Sequence, residues 1–324
     1  MLKRTWLGPL FGLLFCAAAG IAHAQGSYPN QPIRLIVPWP PGGGVDTMAR
    51  LIAQPLGQRL GQSIVVENKP GAGGNIGTEQ AVRSKPDGYT LLMGSISPNA
   101  VNVHLYSKLP FHITKDFTPI AYVSSVPNIL VVPANAPANT AQELIAQAKA
   151  QPGKLNYGSA GVGSSQHLAA IMLIAATRID IVHVPYKGTA PAEADLVAGH
   201  VSLMLDTTTC LPFVAGGKMK ALAVAARQRN PALPNVPTFD EIGVPNVYSS
   251  SWYGLMAPAG LPREIVDRLN KEVNEILAMP EIRKRLTDLG ADTNIGTPED
   301  FGKFIAAEIE RYGDIVKASG AKVD

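Results

Sequence analysis

Short apolar runs and longer amphipathic segments alternate along the first part of the chain. The runs at Ile33–Val37, 64–67 and 90–93 are almost entirely apolar, as buried parallel strands are, and we predict a strand at each. Apolar residues at helical spacing predict helices over 46–60 and 78–83. This βαβαβ order predicts a doubly wound α/β sheet.

A second unit repeats this plan, though not its sequence. Its predicted strands lie at 128–132, 155–157, 181–184, 201–205 and 221–225, and its predicted helices lie at 140–150, 167–176 and 191–198. The last third of the chain is helical again, with an apolar face over 262–278 and a helix start at Thr297, a favoured capping residue.

Two sheets in a chain of 324 residues predict two domains with a cleft between them. We expect domain 1 to comprise 25–125 plus 252–324, and domain 2 to comprise 126–251. The chain would then cross between the domains twice, near 125 and near 251. A pair of connecting strands is a natural hinge for closing a cleft.

Residues 1–24 have the pattern of a secretory signal peptide. Lys3 and Arg4 precede an apolar stretch at 7–19, and residues 22–24 (Ala-His-Ala) match a small-x-small cleavage site. We expect cleavage after residue 24 and a periplasmic protein. The alternative is an uncleaved membrane anchor, for which the uncharged stretch is at the lower limit of length.

Charge and cysteine content exclude several classes. Removing Lys3 and Arg4 from 28 basic residues would leave 26, against 25 acidic residues. With no basic run in the chain, nucleic acid is not an expected partner. Cys16 lies in the predicted signal peptide, which leaves Cys210 without an intrachain disulfide partner.

Two glycine-rich turns, at 38–46 and 158–167, each follow a predicted strand and lead into a predicted helix. A helix start exposes unpaired backbone N–H groups and favours an anion. We expect the two turns, one per domain, to close on a carboxylate from both sides. Gly42 and Gly43 would let a ligand approach the backbone, and Asp46 would orient amides or a bound water.

Structural roles remain open for the same residues. Trp39 fits packing against an apolar ligand and packing between domains equally well, and Asp46 also suits a helix cap. Around Gly163, the hydroxyls of Ser159 and Ser164 fit either ligand contacts or capping. His167 fits either a ligand contact or a structural histidine.

Catalytic patterns are lacking in the sequence. Ser164 and His167 could form a nucleophile–base pair, but the chain has no G-x-S-x-G motif and no obvious orienting acid. It also lacks a Walker loop, a G-x-G-x-x-G motif and metal-ligand histidine spacing. Lys187 could steer an anion from the rim of the cleft, and Asp206 ends a predicted strand, where α/β sheets place ligand contacts. We expect no enzyme activity, cofactor or metal.

A long, ordered set of motifs resembles one family over nearly the whole mature chain. The motifs are residues 28–29 and 32–34, 37–38 with Gly42, Gly43 and Asp46, 66–74 (VENKPGAGG), 86–90 (PDGYT), 158–161 with 163–164 and 167–169, and 183–188 (HVPYKG). The chain resembles the Bug family of extracytoplasmic solute receptors of tripartite tricarboxylate transporters. It departs from that pattern at residues 171–173, at Arg178, and after Asp206, where it is one residue short.

The resemblance implies a periplasmic-binding-protein fold (type II-like) with two α/β domains and a deep cleft. It implies a receptor, expected to be a monomer, that binds a small carboxylate and passes it to a membrane permease of one large and one small subunit. The expected ligand-binding residues are Trp39, Pro41, Gly42, Gly43, Asp46, Ser97, Ser159, Ala160, Gly163, Ser164, His167, Lys187 and Asp206. The alternatives are a sensory receptor without transport and a secreted hydrolase using Ser164 and His167.

Overall fold

The computed structural model describes residues 28–323, so the predicted signal peptide lies outside the described residues. The strands are β1 (Ile33–Val37), β2 (Ile64–Asn68), β3 (Thr90–Ser95), β4 (Phe117–Pro127), β5 (Ile129–Pro133), β6 (Asn156–Ser159), β7 (Val182–Pro185), β8 (Leu203–Asp206), β9 (Met219–Val224) and β10 (Ser250–Pro258). Within the described range, no helix combines the length and the apolar character needed to cross a membrane.

The helices lie between these strands or follow them. They are α1 (Gly44–Leu60), α2 (Asn75–Val82), α3 (Asn102–Leu105), α4 (Ile113–Asp116), α5 (Ala141–Ala150), α6 (Ser165–Thr177), α7 (Thr189–Ala198), α8 (Leu211–Ala215), α9 (Arg263–Ala278), α10 (Pro280–Asp288) and α11 (Pro298–Ser319). A π-helical turn, Ser97–Val101, precedes α3, and the short 3₁₀ turns Ala72–Gly74 and Thr208–Cys210 precede α2 and α8.

The strands form two five-stranded sheets with the same plan. The first sheet has the order β2-β1-β3-β10-β4, and the second has the order β7-β6-β8-β5-β9. In each sheet the first three strands are parallel, and the fourth is antiparallel to both of its neighbours. The predicted α/β class and the repeated βαβαβ plan are therefore confirmed.

Each sheet is covered on both faces, as the apolar strands require. In β1, Ile33 and Leu35 pack under α1 and α9, whereas Ile36 faces the opposite side, toward Trp252 and Phe301. The second sheet packs between α5 and α6 on one face and α7 on the other. Leu168 of α6 belongs to the core cluster of the first sheet, so α6, which covers the second sheet, also packs against the first.

The chain changes sheet at Asn128, between β4 and β5, and again between β9 and β10. Asn128 joins both crossings. Its side-chain amide donates to the carbonyl of Leu205 (2.8 Å), and its backbone N–H donates to that of Ser249 (2.9 Å). The proposed domain boundaries, after residues 125 and 251, fall inside β4 and β10, close to these crossings.

Candidate functional site

A cavity lies between the two sheets, where the starts of α1, α6 and α7 meet. Its volume is about 50 Å³. The lining residues are Trp39, Pro40, Pro41, Gly43, Gly44, Val45, Ser95, Ile96, Ser97, Ala160, Ser164, Ser165, Gln166, Gly188, Thr189, Ala190, Pro191, Thr207, Ser251 and Tyr253. Every one of these described residues is electrically neutral, so an anion held here would depend on backbone N–H groups and hydroxyls.

Asp46 organises the first glycine turn from behind the cavity wall. One carboxylate oxygen accepts the Gly42 N–H at 3.0 Å, and the other accepts the side-chain amide of Asn68 at 2.9 Å. The guanidinium of Arg50 donates to both oxygens. Burial alone would raise the pKa of Asp46, but these hydrogen bonds outweigh it and hold that pKa below its usual value. The carboxylate is therefore an ionised clamp for the turn.

Trp39 and Ser95 form one side of the cavity. The indole Nε1–H of Trp39 donates to Ser95 Oγ at 3.1 Å, which fixes both side chains on the wall. Ser97, in the π-helical turn after β3, lines the same side. The indole ring of Trp39 is thus held in place on the cavity wall.

In the second turn, Ser164 caps α6. Its hydroxyl donates to the Gly161 carbonyl at 2.7 Å and accepts the His167 backbone N–H at 3.4 Å. Ser159 lies deeper, and its Oγ is 2.7 Å from Nε2 of His183. These bonds shape the turn so that the first residues of α6 open onto the cavity.

His167 accepts a hydrogen bond from the Gly163 N–H at its Nδ1 (3.2 Å), which requires that nitrogen to be unprotonated. Its ring stacks on His183 with 4.3 Å between centroids. Burial, followed by the neighbouring His183, lowers the pKa of His167 to about 4. Burial likewise lowers the pKa of His183 to about 4. Both imidazoles are therefore neutral at pH 7, and Nδ1 of His167 acts as a structural acceptor.

The start of α7 provides a third helix N-terminus at the site, one that was not predicted from the sequence. Gly188 has a left-handed φ of +119°, and a Cβ there would lie 3.0 Å from Cγ of Pro40 across the cleft. Thr189 follows, and its hydroxyl accepts from the side-chain amide of Gln166 at 3.2 Å. This bond ties the starts of α6 and α7 together.

The structure brings together some of the predicted residues but not others. Trp39, Pro41, Gly43, Ser97, Ala160 and Ser164 line the cavity. The remainder lie outside the lining: Gly42, Asp46, Ser159, Gly163, His167, Lys187 and Asp206. Gly42 gives its N–H to Asp46, Lys187 is exposed, and Asp206 is fully buried beneath the wall. The ligand-binding roles of these residues stay predictions.

The polar groups that the cavity offers are mainly the backbone N–H groups at three helix starts and side-chain hydroxyls. The first residues of α1, α6 and α7 line the cavity, and the opening N–H groups of a helix have no partner inside it. Helix dipoles add positive potential at the same points. Ser164 and His167 do not form a nucleophile–base pair, because the serine hydroxyl donates to a carbonyl and Nδ1 of the histidine accepts an amide. Among the described residues, no group of three or more His, Cys, Asp or Glu could hold a metal ion.

Comparisons with known proteins agree with this architecture. The model of a family described as "Tripartite tricarboxylate transporter family receptor" matches residues 48–321. Protein BugT of Bordetella pertussis is 38% identical over 314 residues, which are 96% of this chain and 96% of BugT. The predicted resemblance to Bug-type receptors is therefore confirmed.

Two solved relatives carry ligands. Rpa4515 of R. palustris, solved with adipate, is 36% identical with a TM-score of 0.89, over 91% of this chain and 100% of that one. MatC of Rhodopseudomonas palustris, solved with bound malate, is 35% identical with a TM-score of 0.84, over 89% and 100%. These likenesses confirm the predicted two-domain periplasmic-binding-protein fold. The chain belongs to the family of tripartite tricarboxylate transporter receptors.

Proposed function

We propose that the protein is a periplasmic receptor that binds a small mono- or dicarboxylate in its interdomain cleft, without chemistry, and delivers it to a two-subunit membrane permease. The proposal includes removal of the signal peptide after residue 24 and action as a monomer. Solved relatives with adipate and with malate support a carboxylate as the ligand.

One observation carries the proposal: three helix starts converge on a cavity whose lining is neutral. A carboxylate there would accept from backbone N–H groups at the starts of α1, α6 and α7 and gain from their dipoles. A cationic ligand would meet no carboxylate in the lining and the wrong sign of dipole. The donor set therefore selects for negative charge.

The cavity is small in this structure. Its volume is about 50 Å³. Since a buried water needs about 10–15 Å³ of such space, the cavity holds about four waters, which occupy about 120 Å³ as liquid. A ligand carboxylate would replace these waters. Trp39, Ile96 and Tyr253 offer apolar surface for its hydrocarbon part.

Calorimetry with a panel of small acids tests the ligand class. The mature protein is first unfolded and refolded to remove any co-purified ligand, and mono- and dicarboxylates are then titrated beside the matching amides. We expect at least one acid to bind and its amide to bind far more weakly. Binding of no acid, or equal binding of acid and amide, would contradict the proposal.

Uptake assays separate delivery from sensing. Deletion of the gene should abolish uptake of the acid that binds, and re-expression should restore it. Unchanged uptake together with a lost transcriptional response would favour the sensory receptor. Hydrolysis of an ester that disappears in Ser164→Ala would favour the hydrolase, which the hydrogen bonds of Ser164 and His167 argue against.

A further inference from the structure

Two carboxyl groups are buried together beneath the cavity wall. Asp206, the last residue of β8, is 0% exposed, and Glu193 of α7 is 5% exposed. Both belong to segments that line the cavity, since Thr189 lies one turn before Glu193 and Thr207 follows Asp206. The charge state of this pair therefore acts directly on the cavity wall.

One oxygen of Asp206 is fully used. Its Oδ1 accepts the Thr207 N–H at 2.7 Å, the side-chain amide of Gln166 at 3.4 Å and the Thr209 hydroxyl at 3.4 Å. These bonds fix the carboxyl against the cavity wall. They also direct the Gln166 amide, which reaches Thr189 at the start of α7.

The second oxygen of Asp206 and one oxygen of Glu193 have no such hydrogen bonds within the described part of the chain. Asp206 Oδ2 and Glu193 Oε1 are buried, and no donor from the described residues reaches either of them. The two side chains are nevertheless close enough to hydrogen-bond to each other. Two ionised carboxylates have no proton to donate, and burying both charges side by side is strongly unfavourable. A single proton between them would satisfy both oxygens and remove one charge.

Among the residues that the structure describes, no cationic side chain is one of the groups that shift the pKa of Asp206. The titratable groups that feel the pair are the Cys210 thiol and the Tyr253 phenol. Burial raises the pKa values of both groups, so both are neutral at pH 7. The neighbouring groups on α6 are the amide of Gln166 and the neutral imidazole of His167.

We propose that Asp206 and Glu193 share one proton, and that this proton sets the carboxylate affinity of the cleft. The second part rests on the proposed function. With the proton in place, the pair carries one negative charge beneath the anion site instead of two. Loss of this proton, as pH rises through the folded pKa, adds a second charge, which repels a bound carboxylate and disturbs the Gln166–Thr189 link.

Burial and the adjacent Glu193 carboxyl raise the pKa of Asp206 well above its usual value. The folded protein keeps a proton that the unfolded chain has released, so stability is fully present at acid pH and is lost as pH rises through the folded pKa.

Ligand-free measurements test the shared proton. Relative to variants that lack it, the shared proton should add to the wild type a rise in the unfolding equilibrium constant of about tenfold per pH unit, between the ordinary aspartate pKa of about 4 and the folded value. Asp206→Asn and Glu193→Gln should each flatten that rise, because each keeps a hydrogen bond without a shared proton. Asp195→Asn, a half-buried acid on the same helix that accepts a hydrogen bond from Tyr186, is the matched control and should keep the wild-type slope.

Infrared difference spectra detect the protonated carboxyl itself, and a change in packing alone would not remove that signal. The wild type should show the C=O stretch of a protonated carboxyl at pH 7, absent in both variants. Equal pH slopes in wild type and variants, or no protonated carboxyl in the wild type, would overturn the shared proton.

Calorimetry with malate and adipate tests the affinity. Wild-type affinity should fall as pH rises through the folded pKa, by up to about tenfold per unit, whereas Asp206→Asn should bind with little pH dependence. Affinity that is independent of pH in a wild type that holds the proton would overturn the second part. If neither acid binds, the proposed ligands fail, while the ligand-free slope and the infrared band still decide the shared proton.

Discussion

Replacing Asp46 with alanine should weaken ligand binding without touching the cavity lining. The carboxylate clamps the first glycine turn through the Gly42 N–H, the Asn68 amide and the Arg50 guanidinium. In Asp46→Ala these donors lose their acceptor, and the turn before α1 loses its fixed position. Because α1 opens onto the cavity at Gly44, its amides would no longer be held in place for a carboxylate.

The magnitude follows from the bonds lost. A hydrogen bond to a charged group contributes about 1.5–3 kcal/mol. If the energy of one such bond is needed to hold the turn in its binding position, its loss lowers affinity about tenfold or more. The same change lowers the free energy of unfolding by a similar amount. Isothermal calorimetry and urea unfolding measure the two effects separately.

Asp300→Ala is the matched control. Asp300 also lies in the first turn of a helix and accepts a backbone N–H, that of Thr297 at 3.2 Å, but it does not line the cavity. We expect it to lose about 1 kcal/mol of stability and no affinity. If Asp46→Ala loses stability as Asp300→Ala does but binds its ligand normally, Asp46 only caps α1 and the reasoning is refuted.

Three further changes test other parts of the site. Gly163→Ala and Gly199→Ala place alanine at similar left-handed φ (+79° and +81°), and each should lower stability by about 1–2 kcal/mol. Only Gly163→Ala would put a Cβ 2.5 Å from Cδ1 of Leu105, which packs with the first sheet. Affinity should therefore fall only in Gly163→Ala, and equal affinities of the two variants in calorimetry would contradict this contact. His167→Asn keeps an acceptor for the turn but has no titrating side chain. In the wild type, the fall of the His167 pKa from 6.5 to about 4 on folding corresponds to about 3 kcal/mol of folding stability that depends on pH. The stability that His167 contributes to the wild type should therefore be complete above pH 6.5 and be lost toward pH 4, so the difference in unfolding free energy between wild type and variant should shrink over that range. A constant difference across that range would argue against a neutral His167. Trp39→Phe removes the indole bond to the wall and should cost about 0.5–1.5 kcal/mol of binding, measured by calorimetry; undiminished affinity would show that this bond does not position the ligand.

Much of the fold could be predicted because apolar runs mark buried strands. The predicted bounds of β1, Ile33–Val37, match the structure, since every second side chain there packs on one covered face. The long strand β4, Phe117–Pro127, was not predicted; only a crossing between domains was expected near its end. It pairs with β10, more than a hundred residues later, and such pairing leaves no local signal.

The first turns of α6 and α7 were missed for one physical reason. We predicted α6 to begin at residue 167 and α7 at residue 191, but they begin at Ser165 and Thr189. Apolar periodicity starts only where a helix packs on the core, so it passes over a polar first turn. That first turn is the part that lines the cavity. A capping serine before Ser165 was the available signal.

Other wall residues come from distant segments. Ser251 and Tyr253 reach the cavity through β10, which is antiparallel to β3, and Thr207 follows β8. The pairing of Asp206 with Glu193 depends on how α7 packs against β8. Neither arrangement is encoded in local spacing.

The central claim is that backbone amides at three helix starts hold the carboxylate. Amide ¹H–¹⁵N correlation spectra of the mature protein, titrated with an acid that binds in calorimetry, test it most directly. We expect the largest shifts at Gly44, Ser165 and Thr189, the first residues of α1, α6 and α7. Saturable binding that leaves those three amides unchanged would contradict the claim.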